Sequence, residues 1–180
     1  MKLICFPFQS HHFYLKPESA ILRNGSSFYT PNQTSNIKGA LALVVKIDRL
    51  GRHIIQKYAH RYYHETALGF CLYAADILED NRSLGVSWAP ACALDYSAPL
   101  SVFFPIVSHP NFMTDVYGWE SWSGVLIESI DEVISFVSQS IFLKMGDLIW
   151  FELHPPLPII SPSVIHVTRN GEVELQFGVK

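Results

Sequence analysis

The sequence predicts an α+β domain in which strands outnumber helices. Residues 41–47 form an almost unbroken apolar run, which is typical of a strand buried on both faces. Residues 128–140 place isoleucine and valine side chains on one helical stripe. Near the end of the sequence, Asn170-Gly171 separates two apolar runs, and this dipeptide is a strong hairpin signal. Strands and helices do not alternate regularly, which favours α+β over a parallel α/β sheet.

The first half of the chain predicts short strands around one long strand. Residues 2–8 and 13–15 are apolar enough for strands, and the second must stop at Pro17, which cannot donate a ladder hydrogen bond. After the long strand at 41–47, apolar side chains at helical spacing predict an amphipathic helix over 52–66.

The second half predicts a central strand, two helices and a final hairpin. Residues 67–75 are apolar and predict the strand, and 77–84 predict a polar helix that ends at Gly85. The remaining predicted elements are a strand at 100–107 interrupted by Pro105, an irregular stretch over 108–124, the helix at 128–140, a strand at 148–153, and a hairpin of 165–169 with 173–179.

Composition limits the class of protein and its partners. A chain of 180 residues suits one domain, 1–180, with a core of ordinary size. Hydrophobic residues make up 49% and charged residues 16%, and an apolar surplus of this kind is typical of a homodimer interface. The net charge of −3 comes without a basic stripe, which argues against nucleic acid as a partner. No apolar run approaches the roughly 18 residues of a membrane span.

The three cysteines indicate a reducing compartment. Cys5, Cys71 and Cys92 are an odd number without the spacing of a disulfide framework. The first residues are too soon broken by Pro7 to act as a signal peptide. We therefore expect a cytoplasmic protein.

An ordered series of short segments resembles one enzyme family. These segments keep the family's order and spacing: 13–20 (FYLKPESA), 43–47 (LVVKI), 57–63 (KYAHRYY), 69–76, Trp88, 97–99 and 143–147. The chain is identified from them as similar to the fumarylacetoacetate hydrolase (FAH) family, with a shortened lid region. The resemblance implies a mixed β-sandwich roll with peripheral helices, a homodimer, and metal-dependent hydrolysis or isomerisation of keto acids.

The metal ligands that the resemblance implies are replaced. The family's Glu-x-Glu pair aligns with Ala40 and Ala42, and its third carboxylate aligns with Cys71. Residues i and i+2 of a strand share a face, so a Glu pair there can hold one cation, whereas methyl groups cannot. A hard cation such as Mg²⁺ needs oxygen ligands. The sequence therefore predicts that the family's Mg²⁺ or Mn²⁺ is absent, with no metal ligands and no cofactor.

Other family positions divide into losses and survivors. The family's arginine aligns with Ala75 and its catalytic lysine with Cys92, while Lys16 and Asp76 are retained. A Thr-Gly-Thr-Pro turn that holds substrate in the family is replaced near 151–154. The sequence thus predicts no catalytic residue, and it leaves Lys16 as a possible binding group for a small carboxylate.

Cys71 and Cys92 allow two interpretations. They could form a thiol site, with Zn²⁺ and a nearby histidine as one form of it. Alternatively, each is a small hydrophobe that fills a vacated polar position, and the lack of a Cys-x-x-Cys motif favours this second interpretation.

Three functional hypotheses follow. The first is a catalytically inactive FAH homologue that acts by binding, or as a structural or regulatory partner in a homodimer or in a heterodimer with an active paralogue. The second is an active acylpyruvate-type hydrolase or oxaloacetate decarboxylase with a rebuilt site. The third is a small-carboxylate sensor that uses Lys16.

Overall fold

The computed structural model describes residues 1–106, 111–114, 122–123, 127–169 and 171–180. The strands, numbered in chain order, are β1 (Leu3–Phe6), β2 (Tyr14–Lys16), β3 (Ile21–Arg23), β4 (Ser27–Phe28), β5 (Ile37–Ile47), β6 (Tyr63–Ala74), β7 (Ala98–Leu100), β8 (Phe104–Pro105), β9 (Asn111–Thr114), β10 (Trp122–Ser123), β11 (Leu148–Glu152), β12 (Leu157–Pro158), β13 (Ser163–Arg169) and β14 (Glu172–Val179). The helices are α1 (Ala75–Ser83), α2 (Ala89–Cys92) and α3 (Ile127–Ser140), with 3₁₀ segments at Glu18–Ala20 and Gln56–Tyr62.

The described strands form two sheets. The larger has the order β2-β1-β11-β5-β6-β7-β3, with β12 paired to β5 and β8 paired to β6. The smaller has the order β10-β9-β13-β14-β4. Pairing is mixed, because β1 runs parallel to β11 and β3 parallel to β7, whereas β5 pairs antiparallel with both β6 and β11. The predicted α+β class with a mixed sheet is confirmed.

Strands β5 and β6 are the long centre of the larger sheet. Their register runs from Ile37↔Ala74 to Ile47↔Tyr63, with an irregularity beside Lys46. The apolar run at 41–47 lies inside β5 and is buried except at Lys46, so the predicted strand is confirmed.

The alternation of side chains gives the larger sheet two different faces. One face carries large side chains such as Leu43 and Phe70, which pack against the smaller sheet and α3; the Phe70 and Phe177 rings lie 5.3 Å apart. The opposite face carries a second cluster that includes Ala42, Val44, Cys71 and Trp150. Because successive strand residues point to opposite faces, Ala40, Ala42 and their register partners all belong to this second face.

One predicted helix is wrong and the others are confirmed. The helix expected over 52–66 is only a 3₁₀ segment, Gln56–Tyr62, and β6 already begins at Tyr63. Pairing with β5 along the whole length of β6 overrides the local helical spacing of the apolar residues. Helices α1 and α3 and the β13–β14 hairpin form close to their predicted positions. Strands β9 and β10 lie within the stretch predicted to be irregular, 108–124, whose other residues are outside the described part.

Candidate active site

The positions that align with the family's metal ligands lie together in the middle of the sheet. Ala40 and Ala42 are on β5, and across the β5–β6 register they face Cys71 and Gly69 respectively. Ala40, Ala42 and Cys71 all have no exposed surface. The three positions therefore lie together, as the resemblance implied, but they carry small side chains that are buried inside the protein.

The indole of Trp150 fills the space beside these small residues. Trp150 is completely buried and packs in one cluster with Ala42, Val44 and Cys71. A Cβ atom added to Gly69 would overlap the indole ring, with Trp150 Cη2 only 2.7 Å away. The indole thus occupies this position because the neighbouring strands carry Ala42 and Gly69 there.

This lining does not fit the divalent metal that the family implies. Methyl groups and an indole supply no oxygen ligand, and a buried Mg²⁺ or Mn²⁺ needs several. No group of three or more His, Cys, Asp or Glu side chains in the described ranges is placed to hold a metal ion. The chemistry of this site therefore has to be sought in other side chains.

A carboxyl group lies one strand away from the alanine pair. Glu152 ends β11 and faces Ala42 across the β11–β5 register, so both side chains are on the second face of the sheet. Its side chain is almost fully buried. The backbone N–H of Phe8 donates to Oε2 at 3.4 Å, and the Tyr14 hydroxyl donates to Oε1 at 3.3 Å.

The environment of Glu152 makes it a titratable group near neutral pH. Burial raises the pKa of the Glu152 carboxyl to about 7. The hydrogen bonds from Phe8 and Tyr14 and the charge of Lys16 lower this pKa, but together they do not offset the loss of hydration.

Glu152 lines a pocket of about 310 Å³ at one end of the sheet. This volume lies in the usual range for small-molecule sites. The pocket is lined by Pro7, Phe8, Tyr14, Tyr73, Leu78, Arg82, Trp88, Cys92, Glu152, Pro155 and Pro156. Residues from β2, β6, β11, α1 and α2 thus converge here, together with residues 7–8, which directly follow β1.

The other weak acids of the pocket stay protonated at neutral pH. Burial raises the pKa of Tyr14 well above its ordinary value and raises that of Tyr73 to about 12. Burial also raises the pKa of the Cys92 thiol to about 11. Cys92 is therefore a poor nucleophile, and Glu152 is the lining group whose pKa lies nearest neutrality.

Lys16 lies behind the pocket wall and is fully hydrogen-bonded. It is almost completely buried, and its Nζ donates to the carbonyls of Leu72 (2.8 Å) and Cys92 (2.6 Å) and to Ser97 Oγ (2.7 Å). An ammonium has three donors, so these bonds use all of them. Anion binding by Lys16 stays a prediction, and it would require one of these acceptors to be given up.

Ala75 and Asp76 lie at the start of α1. The Ala75 N–H donates to the carbonyl of Asn36 at 2.7 Å. Asp76 accepts from Thr34 Oγ1 at 2.5 Å and from the backbone N–H of Ser35 at 3.0 Å. Partial burial raises the Asp76 pKa, but these hydrogen bonds outweigh it, so the pKa lies below the usual value. Asp76 therefore fixes the start of the helix that carries Leu78 and Arg82 into the pocket.

The cysteines are buried free thiols. Cys5, Cys71 and Cys92 each have little or no exposed surface. A hydrogen bond with Cys5, followed by burial, raises the pKa of Cys71 well above the ordinary thiol value. This arrangement favours the interpretation in which Cys71 and Cys92 act as small apolar side chains.

His154 holds the end of β11 against β5. Its Nε2 accepts the backbone N–H of Leu41 at 2.8 Å, and its Nδ1 lies 2.6 Å from the Pro155 carbonyl. Burial lowers the pKa of His154, which fits a neutral ring that donates through Nδ1 and accepts through Nε2. Because His154 follows Glu152 by two residues, this bond helps to fix the position of the carboxyl group.

Sequence reasoning missed the main residues of the pocket. Alignment to family positions identified Cys92, but not Glu152, Arg82 or Tyr14 as site residues. The available signal was a single acidic residue in an otherwise apolar strand, 148–153, since a buried carboxyl is rare unless it has a partner or a role.

Named proteins resemble the chain over most of its length. It is 30% identical over 176 residues to the mouse (Mus musculus) oxaloacetate tautomerase FAHD1, mitochondrial, covering 93% of the chain and 80% of that protein. The human (Homo sapiens) protein of the same name is 30% identical over 169 residues, covering 89% of the chain and 73% of that protein. The chain matches no model of a known protein family.

Solved structures share the fold at lower sequence identity. A fumarylpyruvate hydrolase from Pseudomonas aeruginosa in complex with Mn²⁺ and pyruvate has a TM-score of 0.86 and 22% identity, over 99% of this chain and 89% of that one. An FAH family protein from Yersinia pestis has a TM-score of 0.83 and 19% identity, over 99% and 92%. No helix in the described residues is long and apolar enough to cross a membrane.

The prediction of a catalytically inactive protein was wrong. The relatives matched over most of their length are named as tautomerases, and the fold neighbour from Pseudomonas aeruginosa is a hydrolase, so the homology points to an enzyme. That prediction rested on family positions that carry other residues here, namely Ala40, Ala42, Cys71, Ala75, Cys92 and the turn near 151–154. Because the chain is 30% identical to named relatives over most of their length and shares its fold with solved structures of the family, it is a member of the fumarylacetoacetate hydrolase family.

Proposed function

We propose that the chain catalyses keto–enol proton transfer in a small 2-oxo acid, with Glu152 as the group that carries the proton. The observation that supports this most is the buried Glu152 carboxyl, which has a pKa of about 7 and lines the pocket. It lies on the same face of the larger sheet as Ala42. The names of relatives agree with the class of substrate, since oxaloacetate, fumarylpyruvate and pyruvate are all 2-oxo acids.

The reaction needs one base that also returns the proton. The Glu152 carboxylate removes a proton from C3 of the substrate. The electrons of that C–H bond form the C2=C3 double bond, and the carbonyl π electrons move to the C2 oxygen. The Glu152 carboxyl then gives the same proton to that oxygen. The product is the enol isomer, no atom is gained or lost, and the reverse order converts enol to ketone.

The pKa of Glu152 suits both halves of this transfer. With a pKa of about 7, the carboxylate and the carboxyl are both populated at neutral pH. General acid–base catalysis is most effective when the pKa lies near the working pH, and it contributes about 10²–10⁴-fold to a rate. A carboxyl with the ordinary pKa of about 4.3 would remove a proton less readily and would rarely hold one to return.

The proposed step uses no metal, and we propose that none binds at Ala40, Ala42 and Cys71. Elemental analysis of purified protein checks this: about one Mg²⁺ or Mn²⁺ per chain would contradict it. Activity abolished by a chelator and restored by the metal would contradict it as well.

The function is tested by the isosteric variant Glu152→Gln. Enol and keto forms of oxaloacetate and acetylpyruvate differ in ultraviolet absorbance, so the exchange is followed directly after the enol is added to buffer. We expect the enzyme rate to fall by about 100-fold or more in the variant, because the amide cannot carry the proton. Glu65→Gln is the matched control, since Glu65 pairs with Lys46 on an exposed part of β6. A Glu152→Gln enzyme with an unchanged rate would refute the assignment.

We also propose that the protein is a homodimer in the cytoplasm. The support is the apolar surplus of the sequence and the exposure of large apolar side chains such as Leu15 and Phe136. Light scattering at several concentrations measures the mass, and the monomer mass throughout would contradict a dimer.

A heterodimer with a paralogue stays a prediction, which co-purification of the two proteins would test. Relatives carry "mitochondrial" in their names, so cell fractionation decides the location.

A further inference from the structure

Arg82 is an exposed cation at the rim of the pocket. It lies in the last turn of α1, and its guanidinium carbon is 5.1 Å from the centre of the Trp88 ring. No carboxylate among the described residues forms an ion pair with it. A guanidinium that stacks on an aromatic face keeps its N–H donors free along its edge, where a carboxylate can bind through two bonds.

Most of the remaining lining is apolar. The apolar lining residues are Pro7, Phe8, Leu78, Trp88, Pro155 and Pro156. The nearby cation Lys16 has its three donors in use within the protein. One carboxylate of a ligand can therefore pair with Arg82. A second carboxylate would find no second cation in the lining: the Tyr14 hydroxyl already donates to Glu152, the Tyr73 hydroxyl is a neutral donor, and the other surfaces are apolar or the Glu152 carboxyl, which is unfavourable for an anion.

We propose that Arg82 binds the substrate's carboxylate and that the pocket selects monocarboxylic 2-oxo acids with an apolar, aromatic substituent at C3. This rests on the proposed function. Arylpyruvates have this chemistry: the carboxylate pairs with Arg82, the aryl ring packs against Trp88 and Phe8, and the acidic C3 methylene faces Glu152. Oxaloacetate, which carries a second carboxylate at C3, is the disfavoured alternative.

Binding is tested with two probes that cannot react. Isothermal titration calorimetry compares 3-phenylpropionate, which has one carboxylate and an aryl group, with the dicarboxylate succinate. We expect 3-phenylpropionate to bind at least about 10-fold more tightly, because its ring buries apolar surface that succinate lacks. Arg82→Gln should weaken that binding about 10- to 100-fold, as expected for the loss of a charge-assisted pair. Arg82→Lys should keep part of the affinity.

Arg23→Gln is the matched control for these measurements. Arg23 is an exposed arginine on β3, away from the pocket lining, so its replacement should leave both affinities unchanged. Both arginines lie at the surface, and the melting temperatures of the variants verify that they fold.

Kinetics separates recognition from proton transfer. With phenylpyruvate, Arg82→Gln should raise KM about 10- to 100-fold and change kcat by less than about 3-fold, whereas Glu152→Gln should lower kcat. Succinate binding as tightly as 3-phenylpropionate would overturn the proposal, and so would an Arg82→Gln variant with unchanged affinity. If no 2-oxo acid is turned over but 3-phenylpropionate binding still depends on Arg82, the proposed reaction fails and the recognition by Arg82 stands.

Discussion

Two neighbouring regions on one face of the larger sheet have opposite character. Around Ala40, Ala42 and Cys71 the side chains are small and buried, and the indole of Trp150 packs in one cluster with Ala42 and Cys71. One strand away, Glu152 keeps a carboxyl group at the edge of an open pocket. The difference shows that apolar side chains fill the centre of this face, whereas the carboxyl group of Glu152 lines the pocket. Chemistry is then available only where a polar group still reaches the pocket.

The filling of the central region is energetically favourable. An aromatic side chain buries about 150–250 Å², and each Å² of apolar surface contributes roughly 25 cal/mol. Burial of Trp150 is thus worth a few kcal/mol, although its Nε1 has no hydrogen-bond acceptor among the described residues. Burial of its own carboxyl raises the pKa of Glu152, whose side chain lies two residues further along the strand and faces the same way.

The largest expected effect comes from restoring the family's carboxylates. In the triple variant Ala40→Glu/Ala42→Glu/Cys71→Asp, three anions would be placed at positions that now have no exposed surface, and two of these positions lie in the cluster that contains the Trp150 indole. We expect the variant to lose about 5 kcal/mol or more of stability, or not to fold, because unpaired buried charges are costly. Urea unfolding with and without Mg²⁺ measures this.

A control substitution elsewhere shows whether the loss of stability is specific to the buried region around Ala40, Ala42 and Cys71. Glu65→Asp changes a carboxylate on an exposed part of β6 and should leave the unfolding midpoint nearly unchanged. If the triple variant bound Mg²⁺ and kept the melting temperature of the wild type, the central region would have to be open and polar. The contrast between a filled apolar centre and a polar pocket at Glu152 would then be wrong.

The second effect is the pH dependence of stability caused by Glu152. The folded state binds the Glu152 proton more tightly than the unfolded chain does, since burial raises the pKa from 4.5 to about 7. The resulting stabilisation is present in full below about pH 4.5 and is lost as the pH rises through about 7. One pKa unit corresponds to 1.36 kcal/mol, so the loss amounts to about 3 kcal/mol.

The measurement is the difference in the free energy of unfolding between wild type and Glu152→Gln across pH 4 to 8. Glutamine has the same shape and does not titrate, so the contributions of all other groups largely cancel in the difference. A difference that stays constant with pH would show that Glu152 is solvated like a surface residue, and a shift in favour of the wild type as pH rises would show that folding lowers its pKa; either result would contradict the prediction.

A smaller effect is expected from adding one methyl group at Gly69. The new Cβ of Gly69→Ala would overlap the Trp150 indole and crowd Val44. Overpacking of this kind costs about 1–3 kcal/mol. In a Trp150→Phe background the ring is smaller, so the same substitution should cost less. Equal costs in both backgrounds, measured by chemical unfolding, would show that the indole does not require Gly69.

The sequence predicted most of the fold because its strongest patterns are local. The apolar run of β5, the stripe of α3 and the Asn-Gly hairpin each depend on residues close together in the chain. The helix predicted over 52–66 failed where pairing with a distant strand decided the structure. Local spacing cannot reveal that competition.

The candidate site was only partly predictable for a related reason. The resemblance predicted that Ala40, Ala42 and Cys71 stand where the family has carboxylates, since alignment compares one position at a time. Glu152 became significant only when the register placed it opposite Ala42 and burial raised its pKa. Neither the strand register nor the burial can be inferred from the fact that residue 152 is a glutamate. A register between β5 and β11, which are about a hundred residues apart in the chain, has no local sequence signature.

The smallest predicted effect concerns Trp88, which is 39% exposed at the rim of the pocket. The ring holds the Arg82 guanidinium at 5.1 Å, and an exposed contact of this type is worth about 0.5–1 kcal/mol. In Trp88→Leu we therefore expect KM for phenylpyruvate to rise about 2- to 5-fold, with kcat nearly unchanged, because Arg82 stays charged but loses its fixed position. In the Arg82→Gln background the same substitution should have a smaller effect, since there is no cation left to hold. If Trp88→Leu instead lowered kcat and left KM unchanged, Trp88 would act on proton transfer at Glu152, and its assignment to substrate binding together with Arg82 would be wrong.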